Sequence, residues 1–271
     1  MKEELLKLIL KKESVNAKMN TMREYLQAYT LRIMYDNGVF RSTAFLGGTA
    51  LRFLYELPRF SEDLDFSLVE KNGNQDFSAI VKKIKDEFVS MGYNIFVSAN
   101  DKNTVQNAFF KFEGLMYEVG ISPLKTQRFS IKIEIDTNPP AGAGLKKDIV
   151  NKYFPIGFLS YDLPSLFAGK LHAILCRKYT KGRDLFDLGW YLSKWKGLSP
   201  NLALLKNALA QTGWKDGFPD ENNWREYIYK AVEKMQWEKV NNDIRNFLEN
   251  PSDLKVFSKE NILSLLSYKK A

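Results

Sequence analysis

Cysteine and histidine are nearly absent from this 271-residue chain, which has one of each. The lone cysteine, Cys176, excludes an intrachain disulfide and a cysteine-cluster zinc site, so a reducing compartment, the cytoplasm, is expected. The lone histidine, His172, leaves one possible base for a serine or cysteine nucleophile. Its place in the middle of a predicted helix favours a packed or surface histidine over a catalytic one.

Long apolar runs are also lacking. No stretch approaches the roughly 20 consecutive apolar residues that span a bilayer. The N-terminal residues mix acidic side chains and lysines into a short apolar pattern, which is not typical of a signal peptide. No membrane partner is therefore expected. The net charge of +8, from 40 basic and 32 acidic residues, permits a polyanionic partner without requiring one.

The apolar periodicity changes twice along the chain. Residues 2–37 have the spacing of two helices, residues 40–160 alternate as strands do, with interspersed helices, and the pattern after Pro164 is helical again. We therefore predict an α+β fold with domains at residues 1–160 and 161–271. The predicted strands include residues 44–48, 63–68, 93–99, 107–114, 116–122 and 129–136.

Two carboxylates lie one residue apart in the predicted strand "DLDFSL". On a strand, Asp63 and Asp65 point to one face while Leu64 and Phe66 point to the core. Carboxylates this close repel each other, and burial makes each ionised form costlier, unless a cation lies between them. A fixed pair of oxygen ligands suits a hard divalent cation such as Mg²⁺ or Mn²⁺. The alternative is an edge strand with a solvated acidic face.

A glycine turn, Gly47-Gly48-Thr49, precedes this strand and opens a short predicted helix. Its backbone amides are suited to bind an anion, because the helix N-terminus adds positive potential. Thr49 either caps the helix or donates its hydroxyl to a phosphate, and a simple capped turn is the alternative. Since Ala50 follows instead of a lysine, a Walker-type ATPase is disfavoured. The returning strand should bring this turn close to the acidic pair, as a magnesium-bound nucleoside triphosphate requires.

The spacing of "GGT", thirteen residues and "DLDF" resembles the signature of the DNA polymerase β-type nucleotidyltransferase superfamily. More narrowly, residues 47–66 and 169–188 together resemble the AbiEii/AbiGii family of toxins, from type IV toxin–antitoxin and phage abortive-infection systems. The resemblance extends over about residues 44–192. It implies a nucleotidyltransferase-type mixed sheet with N-terminal helices and a helical C-terminal region.

A two-metal transferase needs a third carboxylate on a neighbouring strand. The stretch 129–136 places Lys132, Glu134 and Asp136 on one strand face, so both acids are candidates. A solvent-facing polar face is the alternative. The family resemblance favours Glu134.

The second block contains a lysine on an apolar helical stripe. Lys170 lies four residues from both Leu166 and Ile174, which turns it inward, and an inward lysine needs an anion to stay charged. Snorkelling of the ammonium to solvent is the alternative. The resemblance implies that Lys170 contacts the nucleotide phosphates.

Arg183 and Asp184 begin the next predicted helix. Negative charge suits a helix N-terminus, so a structural cap is the alternative to the place in the site that the resemblance implies for this pair. Asp187 is a further candidate. Four basic residues of this block either hold an RNA backbone or lie in a solvated loop: Arg177, Lys178, Lys181 and Arg183.

The resemblance implies a magnesium-dependent enzyme that moves an NMP from an NTP to an RNA acceptor, the 3′ end of tRNA, and that has a cognate antitoxin. A metal-dependent nuclease and a non-catalytic nucleotide- or RNA-binding module are the alternatives. The implied site residues are Asp63, Asp65 and Glu134 or Asp136 for metal, Gly47, Gly48, Thr49, Lys170 and Arg183 for the nucleotide, and Asp184 beside Lys170 in catalysis.

Overall fold

The computed structural model describes residues 1–70, 76–177, 179 and 181–267, so Lys178 of the predicted basic cluster lies outside the described residues. The chain divides into two units, which we call the sheet unit and the helical unit. The sheet unit comprises Met1–Leu54, Phe60–Pro139 and Lys146–Ser160, and the helical unit comprises Tyr55–Arg59, Pro140–Leu145 and Tyr161–Ala271. The helical unit thus includes two short segments from earlier in the chain, which the sequence did not indicate.

The described residues contain one mixed sheet. Its strands are β1 (Thr43–Leu46), β2 (Asp63–Leu68), β3 (Asn94–Asn100), β4 (Val105–Glu113), β5 (Arg128–Asp136), β6 (Leu145–Asn151) and β7 (Pro155–Tyr161). They lie in the order β3-β4-β5-β2-β1-β7-β6. β2 runs antiparallel to β1 and parallel to β5, so the strand with the acidic pair is central and has a partner on both sides. This mixed sheet with its helices confirms the predicted α+β class.

Polar caps fix the starts of two helices in the sheet unit. The helices of this unit are α1 (Lys2–Leu10), α2 (Val15–Asp36), α3 (Gly47–Tyr55), α4 (Phe77–Ser90) and α5 (Leu115–Glu118). Ser14 accepts a hydrogen bond from the amide of Ala17 at the start of α2, and Asp76 accepts one from Ala79 at the start of α4. The predicted N-terminal helices and the helix after β2 are therefore confirmed.

The strand predicted at residues 116–122 is wrong, because α5 occupies its first residues. Gly114 and Gly120 flank this helix with φ angles of 80° and 69°. Positive φ interrupts extended backbone, and glycine adopts it at little cost. The short apolar alternation in the sequence was therefore overridden by two glycine turns.

Buried side chains on one face of the sheet form the core of this unit. On β5, Ile131 and Ile133 are buried and alternate with half-buried or exposed polar residues. Phe88 of α4 packs edge-on against Phe112 of β4 and Tyr29 of α2, with ring centroids 4.8 and 5.3 Å away. Because α2 and α4 cover this face, the alternate residues of β2 and β5 lie on the opposite face of the sheet.

The helical unit is built on the hairpin of α6 and α7. Its helices are α6 (Leu163–Cys176), α7 (Gly182–Lys194), α8 (Leu202–Gln211), α9 (Trp224–Glu233), α10 (Trp237–Ile244) and α11 (Lys259–Ser267). Phe167 of α6 stacks on Tyr191 of α7, with ring centroids 4.3 Å apart. A Cβ on Gly182 would overlap the carbonyl oxygen of Val240, so glycine at this position lets α10 approach the start of α7. In the part of the chain that is described, no helix combines the length and apolarity needed to cross a bilayer.

Candidate active site

The acidic pair lies on the face of the sheet opposite α2 and α4. Asp63 and Asp65 are half-buried, whereas Leu64 and Phe66 between and after them are buried against the helices. The period-2 geometry of a strand thus puts both carboxylates on one face. This is the placement that the sequence predicted.

The neighbouring strand adds a third carboxylate at the same level. In the parallel register of β2 with β5, Asp65 is opposite Glu134, Asp63 is opposite Lys132, and Ser67 is opposite Asp136. Asp136 also accepts a hydrogen bond from the amide of Asn138 and so closes the turn after β5. The register therefore favours Glu134 over Asp136 as the companion of the acidic pair.

Lys132 is the residue whose contribution sequence reasoning missed. Its ammonium lies 2.7 Å from a carboxylate oxygen of Glu134 and 5.5 Å from the centre of the Phe109 ring. Partial burial acts to lower the pKa of Lys132, but the hydrogen bond and charge of Glu134, together with the charges of Asp63 and Asp65, raise it above its ordinary value. We call Asp63, Asp65, Lys132 and Glu134 the acidic face. The alternation of residues 132 and 134 could have indicated the pairing, because it put both on one side of the strand.

The glycine turn and the acidic pair meet in the sheet unit. Leu46, the last residue of β1, is the register partner of Asp65. Gly47 follows with a φ of 80°, and a Cβ at this position would overlap a carboxylate oxygen of Asp65. Both the backbone angle and the space therefore require glycine here. The turn backbone contacts the second aspartate directly.

The hydroxyl of Thr49 has a structural partner. It donates a hydrogen bond to the backbone carbonyl of Asp63, and the side chain is fully buried. Gly48 is buried as well. Thr49 thus anchors α3 to the start of β2, which fixes the distance between the turn and the acidic pair. The phosphate-binding role of Thr49 stays a prediction.

The acidic face fits a divalent cation in donor chemistry. Its possible ligands are carboxylate oxygens, which hard cations such as Mg²⁺ prefer, and two of them are fixed on one strand. Within the described residues, no three His, Cys, Asp or Glu side chains are already arranged around one metal position.

The helical unit contains a separate cluster of charges, which we call the ion network: Arg59, Lys170, Arg177, Asp184 and Asp187. The ammonium of Lys170 lies 3.0 Å from Asp184 and 2.8 Å from Asp187, two residues one turn apart on α7. Arg59 donates to Asp187 with Nε at 2.6 Å, and Arg177 pairs with Asp184. The inward lysine of the sequence analysis therefore has two carboxylate partners within the protein.

Because most of the ion network is buried, its charged groups need partners within the protein. Arg59 and Asp187 are 1% and 0% exposed, and Asp184 is 5% exposed. Burial alone would raise the pKa of Asp184, but Lys170 and Arg177 hold it below the usual value. Three cations thus meet two carboxylates in the network. Sequence reasoning left Asp187 open and missed Arg59, which lies more than 100 positions from its partner along the chain.

Arg183 has a different set of contacts from its neighbour Asp184. Its backbone amide donates to Asp243 of α10 at 3.2 Å, and its guanidinium lies 4.4 Å from the centre of the Phe247 ring. Arg183 therefore contacts α10 and the segment after it. Its predicted contact with a nucleotide stays a prediction.

The fold of this chain is similar to those of several solved structures. MenT4, a nucleotidyltransferase toxin from Mycobacterium tuberculosis H37Rv, superposes with a TM-score of 0.58 and 14% identity over 98% of this chain and 88% of that chain. JHP933 from Helicobacter pylori superposes with a TM-score of 0.52 and 16% identity over 91% of this chain and 88% of that chain. At these identities the likeness concerns the fold.

The family follows from the sequence comparison. The profile of the family described as nucleotidyl transferase AbiEii toxin, type IV TA system, matches residues 31–258. The chain belongs to this family of nucleotidyltransferase toxins, and the resemblance stated from its two sequence blocks is confirmed. A comparison with curated proteins gives no match.

Proposed function

We propose that this toxin transfers an NMP from an NTP to the 3′ end of an RNA, with tRNA as the acceptor, in a reaction that depends on Mg²⁺ or Mn²⁺. One observation carries the proposal: Asp63 and Asp65 share a sheet face with Glu134, and the backbone of Gly47 contacts Asp65. An anion-binding turn next to an acidic pair suits a metal–triphosphate. The similarity to MenT4, a nucleotidyltransferase toxin, supports it.

The roles of the residues follow from their chemistry. Asp63 and Asp65 would hold the divalent cation, and the amides of Gly47 and Gly48 would bind phosphate oxygens. A bound divalent cation supplies Lewis-acid stabilisation of the reacting phosphate and lowers the pKa of an acceptor hydroxyl. Thr49 keeps the turn and the pair in register, because its hydroxyl ties α3 to the carbonyl of Asp63.

A reaction with two metal ions would need Glu134 as a ligand of the second ion. One oxygen of its carboxylate lies 2.7 Å from the ammonium of Lys132, so a second ion bound there would compete with the positive charge of the lysine. A one-metal version leaves that pair intact and uses Lys132 as a fixed positive charge. Substitution of Lys132 distinguishes the two versions.

For the helical unit we keep the proposal that Lys170 acts on phosphate and that Asp184 positions it. The support is the two carboxylates, Asp184 and Asp187, that hold the ammonium of Lys170 in place. The network thus offers a cation whose position is fixed before any ligand binds.

A toxin of a type IV system has a cognate antitoxin, and we propose a cytoplasmic site of action for both. The single cysteine, Cys176, is free and half-buried, which suits a reducing compartment. Co-expression of the toxin with the neighbouring gene product should restore growth to cells that the toxin alone arrests.

The direct test incubates the protein with total tRNA, Mg²⁺ and each labelled NTP in turn. Transfer predicts a labelled RNA that is longer by one or a few nucleotides and that forms with only some of the NTPs. A nuclease would instead shorten end-labelled RNA without any NTP. RNA that stays unchanged under all conditions would leave a binding module and contradict the proposal.

Two matched variants test the third carboxylate. Glu134→Gln should reduce transfer strongly, because its side chain lies at the level of Asp65. Asp136→Asn is the control, since it changes a carboxylate on the same strand that closes a turn. Equal and mild decreases in both variants would show that Asp63 and Asp65 are the only protein carboxylates that the reaction needs.

A further inference from the structure

A cavity in the helical unit collects positive charge from two distant parts of the sequence. Its volume is about 460 Å³, and it lies between the end of α6 with the following loop and the junction of α9 with α10. Its charged lining residues are Arg177, Lys181, Lys234, Lys239 and Asp184. We call this cavity the basic pocket.

The basic pocket has four cationic side chains and one carboxylate, Asp184. Asp184 is already bonded to Lys170 and Arg177. Among the residues that the structure describes, Lys181, Lys234 and Lys239 have no carboxylate partner within ion-pair distance. Like charges repel when a fold brings them together, and a bound anion removes that cost. The arrangement therefore indicates an anionic ligand.

The rest of the lining suits a nucleic acid better than a metal–triphosphate. Tyr179 is 64% exposed beside the cavity, and an exposed aromatic ring offers a stacking surface for an unpaired base. A magnesium–triphosphate needs free carboxylates for its cation, and the one in the pocket is bonded to two cations. Backbone phosphates need cations alone, with flexible lysines as frequent partners.

We propose that the basic pocket binds the sugar–phosphate backbone of the RNA acceptor. This rests on the proposed function, because it assumes an RNA acceptor. It adds Lys234 and Lys239, which lie about 50 residues beyond the basic cluster that the sequence indicated. It also leaves out Arg183, which is bonded to Asp243 on α10.

The test is RNA binding without NTP and without metal, so that neither transfer nor cleavage occurs. The variant is Lys234→Gln/Lys239→Gln, and the control is Lys196→Gln/Lys215→Gln, which removes the same charge from exposed lysines of the same unit outside the pocket. Fluorescence anisotropy with labelled tRNA at several salt concentrations gives the affinity and its salt dependence. Melting curves of both variants check that the unit is folded.

The pocket variant should bind tRNA about tenfold more weakly, and the slope of log K against log salt should fall by roughly 0.7 for each single-strand phosphate that the protein ceases to neutralise. The control should keep both values, and both variants should keep the thermal stabilisation by Mg-NTP. Equal tRNA affinity in the two variants would overturn the assignment of the pocket. Absence of Mg-NTP stabilisation with unchanged tRNA affinity would overturn it too, and would assign the pocket to the nucleotide substrate. If the wild-type protein binds no tRNA at all, tRNA is not its acceptor, and the proposed function is contradicted instead.

Discussion

The acidic face and the ion network are both clusters of carboxylates and cations, but they differ in burial. On the acidic face, the charges of three half-buried carboxylates act on Lys132, which is bonded to Glu134. In the ion network, two buried carboxylates share three cations. The carboxylates of the first cluster are partly accessible to solvent, whereas those of the second are buried.

The difference suits the acidic face to binding a metal ion and the ion network to holding a lysine in a fixed position. Half-exposed carboxylates that lie close together attract a metal ion, since their mutual repulsion is relieved when it binds. Fully paired carboxylates below the surface have nothing to gain from a metal, and their removal leaves cations uncompensated. Substitutions on the acidic face should therefore affect activity more than stability, and substitutions in the ion network should affect stability first.

The largest effect is expected for Asp65→Asn on the acidic face. Transfer should fall by about 100-fold or more, because a metal ion is worth several kcal/mol of transition-state stabilisation and about 1.4 kcal/mol corresponds to a factor of ten. The fold should persist, since the change removes one of several repelling charges. Single-turnover transfer and a melting curve on the same preparation measure both. Near-normal transfer, or an unfolded variant, would contradict the metal assignment.

The next effect is expected for Asp187→Asn in the ion network. The free energy of unfolding should fall by about 3–5 kcal/mol, because Arg59 and Lys170 are both deprived of a charged partner where water cannot replace it. Asp243→Asn is the matched control, since its carboxylate pairs with Arg183 at 3.7 Å and is partly exposed. The control should cost about 1 kcal/mol or less. Urea denaturation of both variants gives the comparison, and equal decreases would mean that the network is no more than a surface feature.

A smaller effect is expected for Lys132→Met, which makes the acidic face more negative. Mg²⁺ should bind on the order of tenfold more tightly, because a positive charge near the ion is removed. Without metal the variant should be less stable, since Glu134 no longer has its partner. Calorimetric titration of Mg²⁺ without NTP measures the affinity. Unchanged Mg²⁺ affinity would show that the cation binds away from Lys132.

Transfer by the same Lys132→Met variant separates the two versions of the reaction. If Glu134 must leave Lys132 for a second ion, transfer should be kept or rise at low Mg²⁺ concentration. If Lys132 acts as a fixed charge in place of that ion, transfer should fall although Mg²⁺ binds more tightly. Lys132→Arg, which keeps the charge, should restore transfer only in the second case.

The smallest effect concerns pH. In the folded state the pKa of Asp184 lies below its ordinary value, because Lys170 and Arg177 stabilise the charged form more than burial disfavours it. Its pairing therefore stabilises the fold above the unfolded pKa of about 4, and this contribution disappears as pH falls through the lower folded pKa. The difference in melting temperature between wild type and Asp184→Asn should be constant from about pH 7 to 5 and shrink below about pH 4. A difference that stays constant down to about pH 2.5 would show that the charge of Asp184 does not contribute.

Much of the acidic face could be predicted because its signals are local. Strand periodicity alone puts Asp63 and Asp65 on one side, and a glycine turn before a returning strand brings the turn near them. The pairing of Lys132 with Glu134 needed only the same period-2 argument on β5. The choice between Glu134 and Asp136 was not local, because it depends on the register between β2 and β5.

The ion network could be predicted only in part. The helical stripe of Leu166, Lys170 and Ile174 indicated an inward lysine that needs an anion. Periodicity could not tell whether that anion belongs to a ligand or to the protein, and tertiary structure supplies Asp184 and Asp187. The basic pocket is similar, since residues near 180 and near 235 meet only after α10 packs on the start of α7.

Three properties could be read directly from the amino-acid order: the α+β class, the acidic pair with its glycine turn, and the toxin family. Each depends on the order of residues within segments of the chain and on no contact between distant residues. Three others required the folded arrangement: which carboxylate faces Asp65, which residues neutralise Lys170 and which cations share a pocket. The physical reason is that periodicity fixes the face on which a side chain lies, whereas its partners across strands and helices depend on register and packing. Charges act over a few ångströms in space, and their distance along the chain does not reveal that separation.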